Sequence, residues 1–283
     1  MSSPTMTIRP MSSSEVPLAI EWADREGWNP GLDDAQTFHA ADPEGFWIGE
    51  VDHEPVAVIS AVRSGKNFGF LGFYIVHPDF RAQGYGLAIW NRAMDHLAGR
   101  TIGLDGVVDQ QDNYRKSGFQ IAYRNIRQQG TSQNFAPADS RIVPISQIPF
   151  ETLCTYDRRY FPADRSEFLQ SWIGEEHGLS RAFLDGQTLR GYSTLRQCAE
   201  GWKFGPLFAD TPAIAETLFQ ALQNEIPTGE TIFLDTPEPN TEATDLAQRY
   251  KMRPVFETAR MYRGQEPSVS LEGIYGVTSF ELG

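Results

Sequence analysis

Residues 75–88 read Ile75-Val76-His77-Pro78-Asp79-Phe80-Arg81-Ala82-Gln83-Gly84-Tyr85-Gly86-Leu87-Ala88. The apolar run Phe68 to Val76 predicts a strand leading into this stretch, and Leu87, Trp90, Ala93, Met94 and Leu97 mark one face of a helix leading out of it. A glycine-bearing loop between a strand and a helix start leaves several backbone N–H groups pointing outward, at the positive end of the helix dipole. Gly84 and Gly86 allow a phosphate to approach that backbone closely, and Arg81 and the Gln83 side chain add donors. The spacing is not the three-glycine dinucleotide fingerprint, and no Gly-Lys-Ser/Thr follows to make a P-loop.

Upstream, Val16, Ala19, Ile20 and Ala23 recur at helical spacing behind Ser14, and a short helix is expected from Asp33 or Asp34. Three strands follow, Phe46 to Val51, Val56 to Arg63 and Phe68 to Val76, joined by polar turns as a meander. Downstream, Thr101 to Val108 reads as a strand, Asp112 to Ser117 as a short helix and Phe119 to Arg127 as a strand. Residues 129–144 are polar and read as a linker. The same order then recurs about 130 residues later: helices at Ile145 to Tyr156 and Arg165 to Ile173, strands at Arg181 to Asp185, Thr188 to Arg196 and Trp202 to Phe208, a helix from Pro212, strand, helix, strand. The expected fold class is therefore α+β, as a tandem duplication: an N-terminal domain at 1–128 and a second at 145–283.

Val76-His77-Pro78 with Arg81-Ala82-Gln83-Gly84-Tyr85-Gly86, and Tyr114-Arg115-Lys116-Ser117-Gly118-Phe119 further on, resemble the GCN5-related N-acetyltransferase (GNAT) family over roughly residues 7–128. The resemblance implies mixed, mostly antiparallel splayed sheets flanked by helices, and acetyl-CoA as the acyl donor. It places the pyrophosphate on the N–H groups from about Ala82 to Leu87 and the pantetheine along Ile75 and Val76. The cofactor-binding set it implies is Ile75, Val76, Arg81, Ala82, Gln83, Gly84, Tyr85, Gly86 and Leu87. Where the family carries an Asn seven residues before the Tyr, this chain has Val107, with Asn113 beside Tyr114 instead. Gly191 to Arg196, Phe204 to Asp210, Arg260 to Gly264 and the ending Glu281-Leu282-Gly283 are similar to the C-terminal domain of tandem GNAT proteins. There, Phe208-Ala209-Asp210-Thr211-Pro212 replaces the glycine loop, and Pro212 offers no N–H, so that half reads as degenerate.

Acyl transfer to an amine needs a neutral amine, a polarised carbonyl and a protonated leaving thiolate. By analogy with that family the Val76 N–H can polarise the carbonyl, and the Tyr114 phenol can serve as the acid. No carboxylate occurs from Phe68 to Val76, so no base is assigned; Glu50, Asp105, Asp235 and a water chain all stay open.

Composition bounds the rest. With 40% hydrophobic and 22% charged residues, the 283-residue chain can fill large cores. Its net charge of −13, shared almost evenly between the halves, opposes nucleic acid and anionic membranes and favours cationic amines. No apolar run spans a membrane, the start lacks a secretory pattern, and the two cysteines suit a cytoplasmic setting. The five histidines show no metal-ligand spacing. The expectation is an acetyl-CoA-dependent N-acetyltransferase of small-molecule primary amines, metal-free and monomeric with an internal pseudo-dimer. The rivals are a non-catalytic acyl-CoA sensor and an acyltransferase with another acyl chain or acceptor.

Overall fold

Strand Glu54–Ser64 shows how the layers arise. Ala57, Ile59 and Ala61 point to one face of the sheet and pack with Ile89, Trp90, Ala93 and Leu97. Val58 and Val62 point to the other face and pack with Val16, Ala19, Ala23 and Phe38. Alternate residues of one strand thus feed two cores, and helices cover both faces of the sheet. In the computed structural model, which describes residues 6–136 and 139–283, the elements run β1 (Thr7–Pro10), α1 (Val16–Arg25), α2 (Asp34–Ala41), β2 (Phe46–Val51), β3 (Glu54–Ser64) and β4 (Phe68–Val76). They continue as α3 (Tyr85–His96), β5 (Thr101–Val107), α4 (Gln111–Lys116) and β6 (Gln120–Thr131).

The second half repeats this with β7 (Ile142–Pro144), α5 (Phe150–Asp157), α6 (Ser166–Trp172), β8 (Gly178–Asp185), β9 (Thr188–Gln197) and β10 (Trp202–Ala209). It ends with α7 (Pro212–Gln223), β11 (Thr231–Pro237), α8 (Thr241–Arg249), β12 (Arg253–Arg263) and β13 (Ile274–Gly276). The α+β fold of two tandem units, each a mixed and mostly antiparallel sheet flanked by helices, is as expected. Three details differ. β6 runs to Thr131, into the stretch read as linker, because its residues from Asn125 to Thr131 pair with β11. Ser14 does not cap α1; Glu15 takes that position, and its carboxylate binds Arg9. The segment read as one helix from Ile145 breaks at Pro149, and α5 starts after it. Pro137 and Ala138 of the linker stretch, and the first five residues, lie outside the described residues.

The strand order is β1-β2-β3-β4-β5-β12-β6-β11-β10-β9-β8-β7. The last long strand of each half has crossed over. β12 of the second half lies against β5 of the first, and β6 of the first lies against β11 of the second. Opposite positions carry the same chemistry in both places. Arg260 on β12 faces Asp105 on β5 and binds it through two nitrogens at 2.9 and 2.8 Å. Arg127 on β6 faces Asp235 on β11, also through two nitrogens, at 2.8 Å each. Helices α2 and α6 close a further contact between halves, with Phe38 stacked on Trp172 at 5.9 Å and Asp34 paired with Arg196 from β9.

Both strand-exchange ion pairs are buried, so removing one partner leaves an uncompensated charge in the core. Arg127→Leu should lower the free energy of unfolding by about 3–5 kcal/mol in chemical denaturation. Adding Asp235→Leu should recover most of that loss, since a well-packed apolar pair can replace a buried ion pair at little cost. A double variant as unstable as the single one would contradict the account.

Candidate active site

β4 and β5 run parallel and pair only from Phe68–Thr101 to Leu71–Leu104. Beyond Leu71 both strands continue, but apart. The divergence coincides with a bulge in β4, where the register against β3 shifts between Val58 and Ser60 and Phe73 takes a left-handed backbone with φ +48°. A cavity of about 650 Å³ fills the opening. Its walls come from both halves: Gly72 to Val76, Leu104, Asp105 and Tyr114 from the first, and Phe256, Thr258, Phe280 and Glu281 from the second.

The edge of β4 offered to this cavity follows from strand alternation. The His77 N–H donates to the Val56 carbonyl, toward β3, so the Val76 N–H points away from β3 and into the opening. By the same alternation the Ile75 peptide groups turn toward Val58 on β3; Ile75 lines the cavity but its N–H faces the other way. The Val76 carbonyl accepts a hydrogen bond from Arg81 Nε at 3.0 Å.

At the α3 end of the opening, Ala82 and Gly84 take left-handed backbones, with φ +61° and +89°. Alternating hands along a loop make consecutive N–H groups converge into an anion-binding concavity. None of the N–H groups from Ala82 to Leu87 has a protein partner among the described residues. A side chain at Gly84 would meet open space, so this glycine is needed for its backbone conformation, whereas a Cβ at Gly86 would stand 2.8 Å from the Tyr74 hydroxyl. The arrangement fits a phosphate at the loop and an extended chain running along β4. The two side-chain donors expected to assist are otherwise engaged. Arg81 binds Glu26, and Gln83 Nε2 binds the Asp79 carbonyl at 3.1 Å. Tyr85 is buried under the loop, while Leu87 is exposed at the cavity mouth.

Tyr114 enters from α4, stacked on Trp90 with ring centroids 5.4 Å apart, and Gly106 gives its ring room: a Cβ there would stand 2.9 Å from it. The residue is 9% exposed, its hydroxyl has no protein partner among the described residues, and it lines the cavity. Burial first, and the neighbouring Tyr74 second, hold its pKa well above that of an ordinary phenol. It therefore stays protonated throughout the physiological range. Asn113 is exposed and bonds Gln110 at 2.9 Å, so it does not stand in for the missing Asn; Val107 lines the cavity in that place.

The acids weighed as bases are accounted for. Glu50 is bound by Arg9 at 2.8 Å, while Asp105 and Asp235 are each bound by an arginine, Asp105 also by Asn125 Nδ2 at 2.9 Å. Two residues were missed. Tyr74 was hidden as one aromatic among several in β4, and Glu281 sits near the chain end, far in sequence from every other cavity residue of the first half.

The second half has the matching opening, but the chain itself occupies it. β10 and β11 pair in parallel only from Trp202–Ile232 to Phe204–Leu234. β13 then lies along β10, with Leu207 opposite Gly276, and the Val277 N–H donates to the Asp235 carbonyl at 2.9 Å. At the position of the glycine loop, Asp210 accepts bonds from Tyr156, Arg159 and Arg190 at 2.9, 2.8 and 3.2 Å, while the Thr211 side chain caps α7 through the Ile214 N–H. This carboxylate holds the donors that a phosphate would need.

Comparison with known proteins agrees with this geometry. Residues 15–119 match the model described as "Acetyltransferase (GNAT) family", and residues 153–276 match that of an "Acetyltransferase (GNAT) domain". A holothin acyltransferase from Pseudoalteromonas sp. (strain SANK 73390) is 31% identical over 279 residues, covering 99% of this chain and 95% of that protein. Among solved structures, a putative acetyltransferase from Pyrococcus horikoshii superposes with a TM-score of 0.84 at 20% identity, covering 100% of this chain and 98% of that one. A tandem GNAT protein from the clavulanic acid biosynthesis pathway gives 0.63 at 12% identity, covering 93% and 100%. At these identities the two structures speak for the fold. With two consecutive matching regions and a relative similar along almost its whole length, the chain belongs to the GNAT family of acyltransferases, in its tandem form.

Proposed function

We propose that this acyltransferase moves an acetyl group from acetyl-CoA to the primary amine of a small molecule, by direct attack while donor and acceptor share the cavity. One observation carries the reading: the opening between β4 and β5 joins the unpartnered N–H groups of residues 82–87 to the unpartnered hydroxyl of Tyr114. The loop would hold the donor's phosphates, and the Val76 N–H would polarise the carbonyl, being fixed by the sheet and needing no reorganisation during the reaction. Tyr114 would give its proton to the departing sulfur. Residues 1–128 supply the donor loop, and residues 145–283 act as a degenerate partner that closes the acceptor side with Phe256, Thr258 and Phe280. The protein would work as a cytoplasmic monomer without metal.

The acceptor wall is rich in aromatic surface, with Trp28, Phe73, Phe256 and Phe280 lining one cavity. A flat or aromatic amine suits such a wall better than a polyhydroxylated one. Holothin, the compound named for the relative, is the first acceptor to assay.

Titration calorimetry should find one acetyl-CoA per chain, because β13 fills the other opening. Gly84→Glu should abolish that binding, by straining a left-handed position and by placing a negative charge where the phosphates would lie, while thermal unfolding stays nearly unchanged. Two sites per chain, or undiminished binding in the variant, would sink the placement.

Tyr114→Phe keeps the stacking on Trp90 and removes only the proton donor. Turnover should fall by about 10²-fold or more, with donor affinity unchanged. The loss should shrink for donors with a more acidic leaving thiol, whose thiolate needs protonation less. A variant that turns over normally would make Tyr114 a packing residue, and one that loses donor affinity as well would make it a binding residue.

A further inference from the structure

The acids of the first half weighed as bases, Glu50 and Asp105, are bound by Arg9 and Arg260, and Glu26, which lines the cavity with Asp105, is bound by Arg81.

 The carboxylates that line the cavity are Glu26, Asp105, Asp109 and Glu281. Asp109 is exposed at the rim. Glu281 alone is both buried, at 4% exposure, and without a hydrogen-bond partner for its carboxylate among the described residues. We propose that Glu281, carried into the cavity by the C-terminal segment, is the general base of this acyl transfer. The proposal rests on the reading of the cavity given above.

The position is built, not incidental. Having filled the second opening as β13, the chain continues across the middle of the sheet. The Thr278 carbonyl lies against Gly205 at the base of the second opening, and the Glu281 carbonyl lies against Gly72 at the base of the first; neither glycine has room for a Cβ. The Leu282 N–H donates to Ser279 Oγ at 3.0 Å, Arg165 Nη1 donates to the Gly283 carbonyl at 3.2 Å, and the Leu282 side chain is buried in the core around Phe38. Glu281 is thus held at the place where the two strands part, and it lines the same cavity as Tyr114 and Val76. In the step itself, the amine nitrogen loses a proton to Glu281 as its bond to the acyl carbon forms. The carbon–sulfur bond breaks, and the electron pair left on sulfur takes the Tyr114 proton. One proton is taken and one is given, so the site ends with Glu281 protonated and Tyr114 ionised, and a proton passing between them or through solvent restores it.

The charges around Glu281 suit a base. Burial raises its pKa, Lys203 on β10 lowers it, Asp34 on α2 raises it, and Arg127 on β6 and Arg196 on β9 lower it, with a net rise. Arg127 and Arg196 are committed to Asp235 and Asp34, and Lys203 Nζ donates to the Asn29 carbonyl at 2.6 Å, so none of the three binds the Glu281 carboxylate directly. Asp105, which lines the same cavity, is bound by Arg260. A carboxylate with a raised pKa is a stronger base than one in water, and it works only when ionised. Turnover must therefore fall as the pH drops through that raised value.

The test compares Glu281→Gln with the parent protein, following thiol release from acetyl-CoA at saturating amine across pH, with donor affinity measured by calorimetry. Turnover should fall by about 10²-fold or more, the acidic limb of the kcat profile should vanish, and donor affinity should hold. In the parent protein the acidic limb should also stay at one pH when the acceptor is changed through a series of amines of decreasing basicity, a measurement that needs no variant. Turnover in Glu281→Gln within threefold of the parent, with the limb intact, would overturn the assignment. So would a parent limb that follows the amine's own pKa. A parent that binds the donor yet releases no thiol with any amine would overturn the acyl-transfer reading and the base with it, whereas an active parent matched by its variant would indict Glu281 alone.

Discussion

Arg260 with Asp105, and Arg127 with Asp235, are the interactions on which the arrangement of the molecule depends. Each pair joins directly opposed residues on strands from different halves. A buried ion pair contributes little net stability, because desolvation offsets most of the attraction. Its effect here is on register. Sliding β6 or β12 by one residue would turn the arginine to the other face of the sheet and leave an aspartate buried alone. Two such pairs, related by the internal repeat, fix the register of both exchanged strands in a sheet in which neither half is complete by itself.

That exchange determines where the chain goes next. β12 runs beside β5 on the first half, so the residues after it start from the middle of the molecule and not from an outer edge. From there the C-terminal segment reaches both openings in the sheet. Its first part pairs with β10 and fills the second opening; its last residues lie across Gly72 and line the first. The filling of one opening and the lining of the other are thus properties of one segment. The substitution of a glycine loop by Asp210-Thr211-Pro212 fits the same division, since a carboxylate bound by Arg159 and Arg190 leaves nothing for a phosphate to neutralise.

Much of this was legible in the sequence, and the limits have physical causes. β4 was readable from Phe68 to Val76, and the loop from Arg81 to Gly86, because strand, turn and helix signals there are local. The duplication was readable because the element order repeats. The exchange was not. β6 and β12 are equivalent strands of similar length, 12 and 11 residues, so local pattern cannot say which of them lies beside β5. β13 has only three residues and draws its stability from β10, not from its own propensity. Arg81 and Gln83 were read as phosphate ligands because their types suit that role, but their partners Glu26 and the Asp79 carbonyl are set by loop geometry that spacing does not encode. Glu281 was visible only as part of the ending Glu281-Leu282-Gly283; nothing local distinguishes it from a solvated acid.

The same desolvation acts on both groups proposed for proton transfer, Tyr114 and Glu281, and would act on reactants bound beside them. It raises Tyr114, which keeps the phenol protonated but makes it a weaker acid than in water. Taken alone that shift would slow protonation of the leaving sulfur. A thiolate released into the same apolar cavity is also deprived of water, however, so its own basicity rises with that of the phenolate it must displace. What decides proton transfer is the difference between the two, and a shared environment largely preserves that difference. For the amine the effect has the opposite sign, because burial disfavours the ammonium form, while burial of Glu281 makes the carboxylate a better acceptor of its proton. A cavity between two halves therefore favours an amine that enters neutral, and it favours transfer of the proton from the nitrogen, positive as its bond to the acyl carbon forms, to the carboxylate, which leaves both neutral.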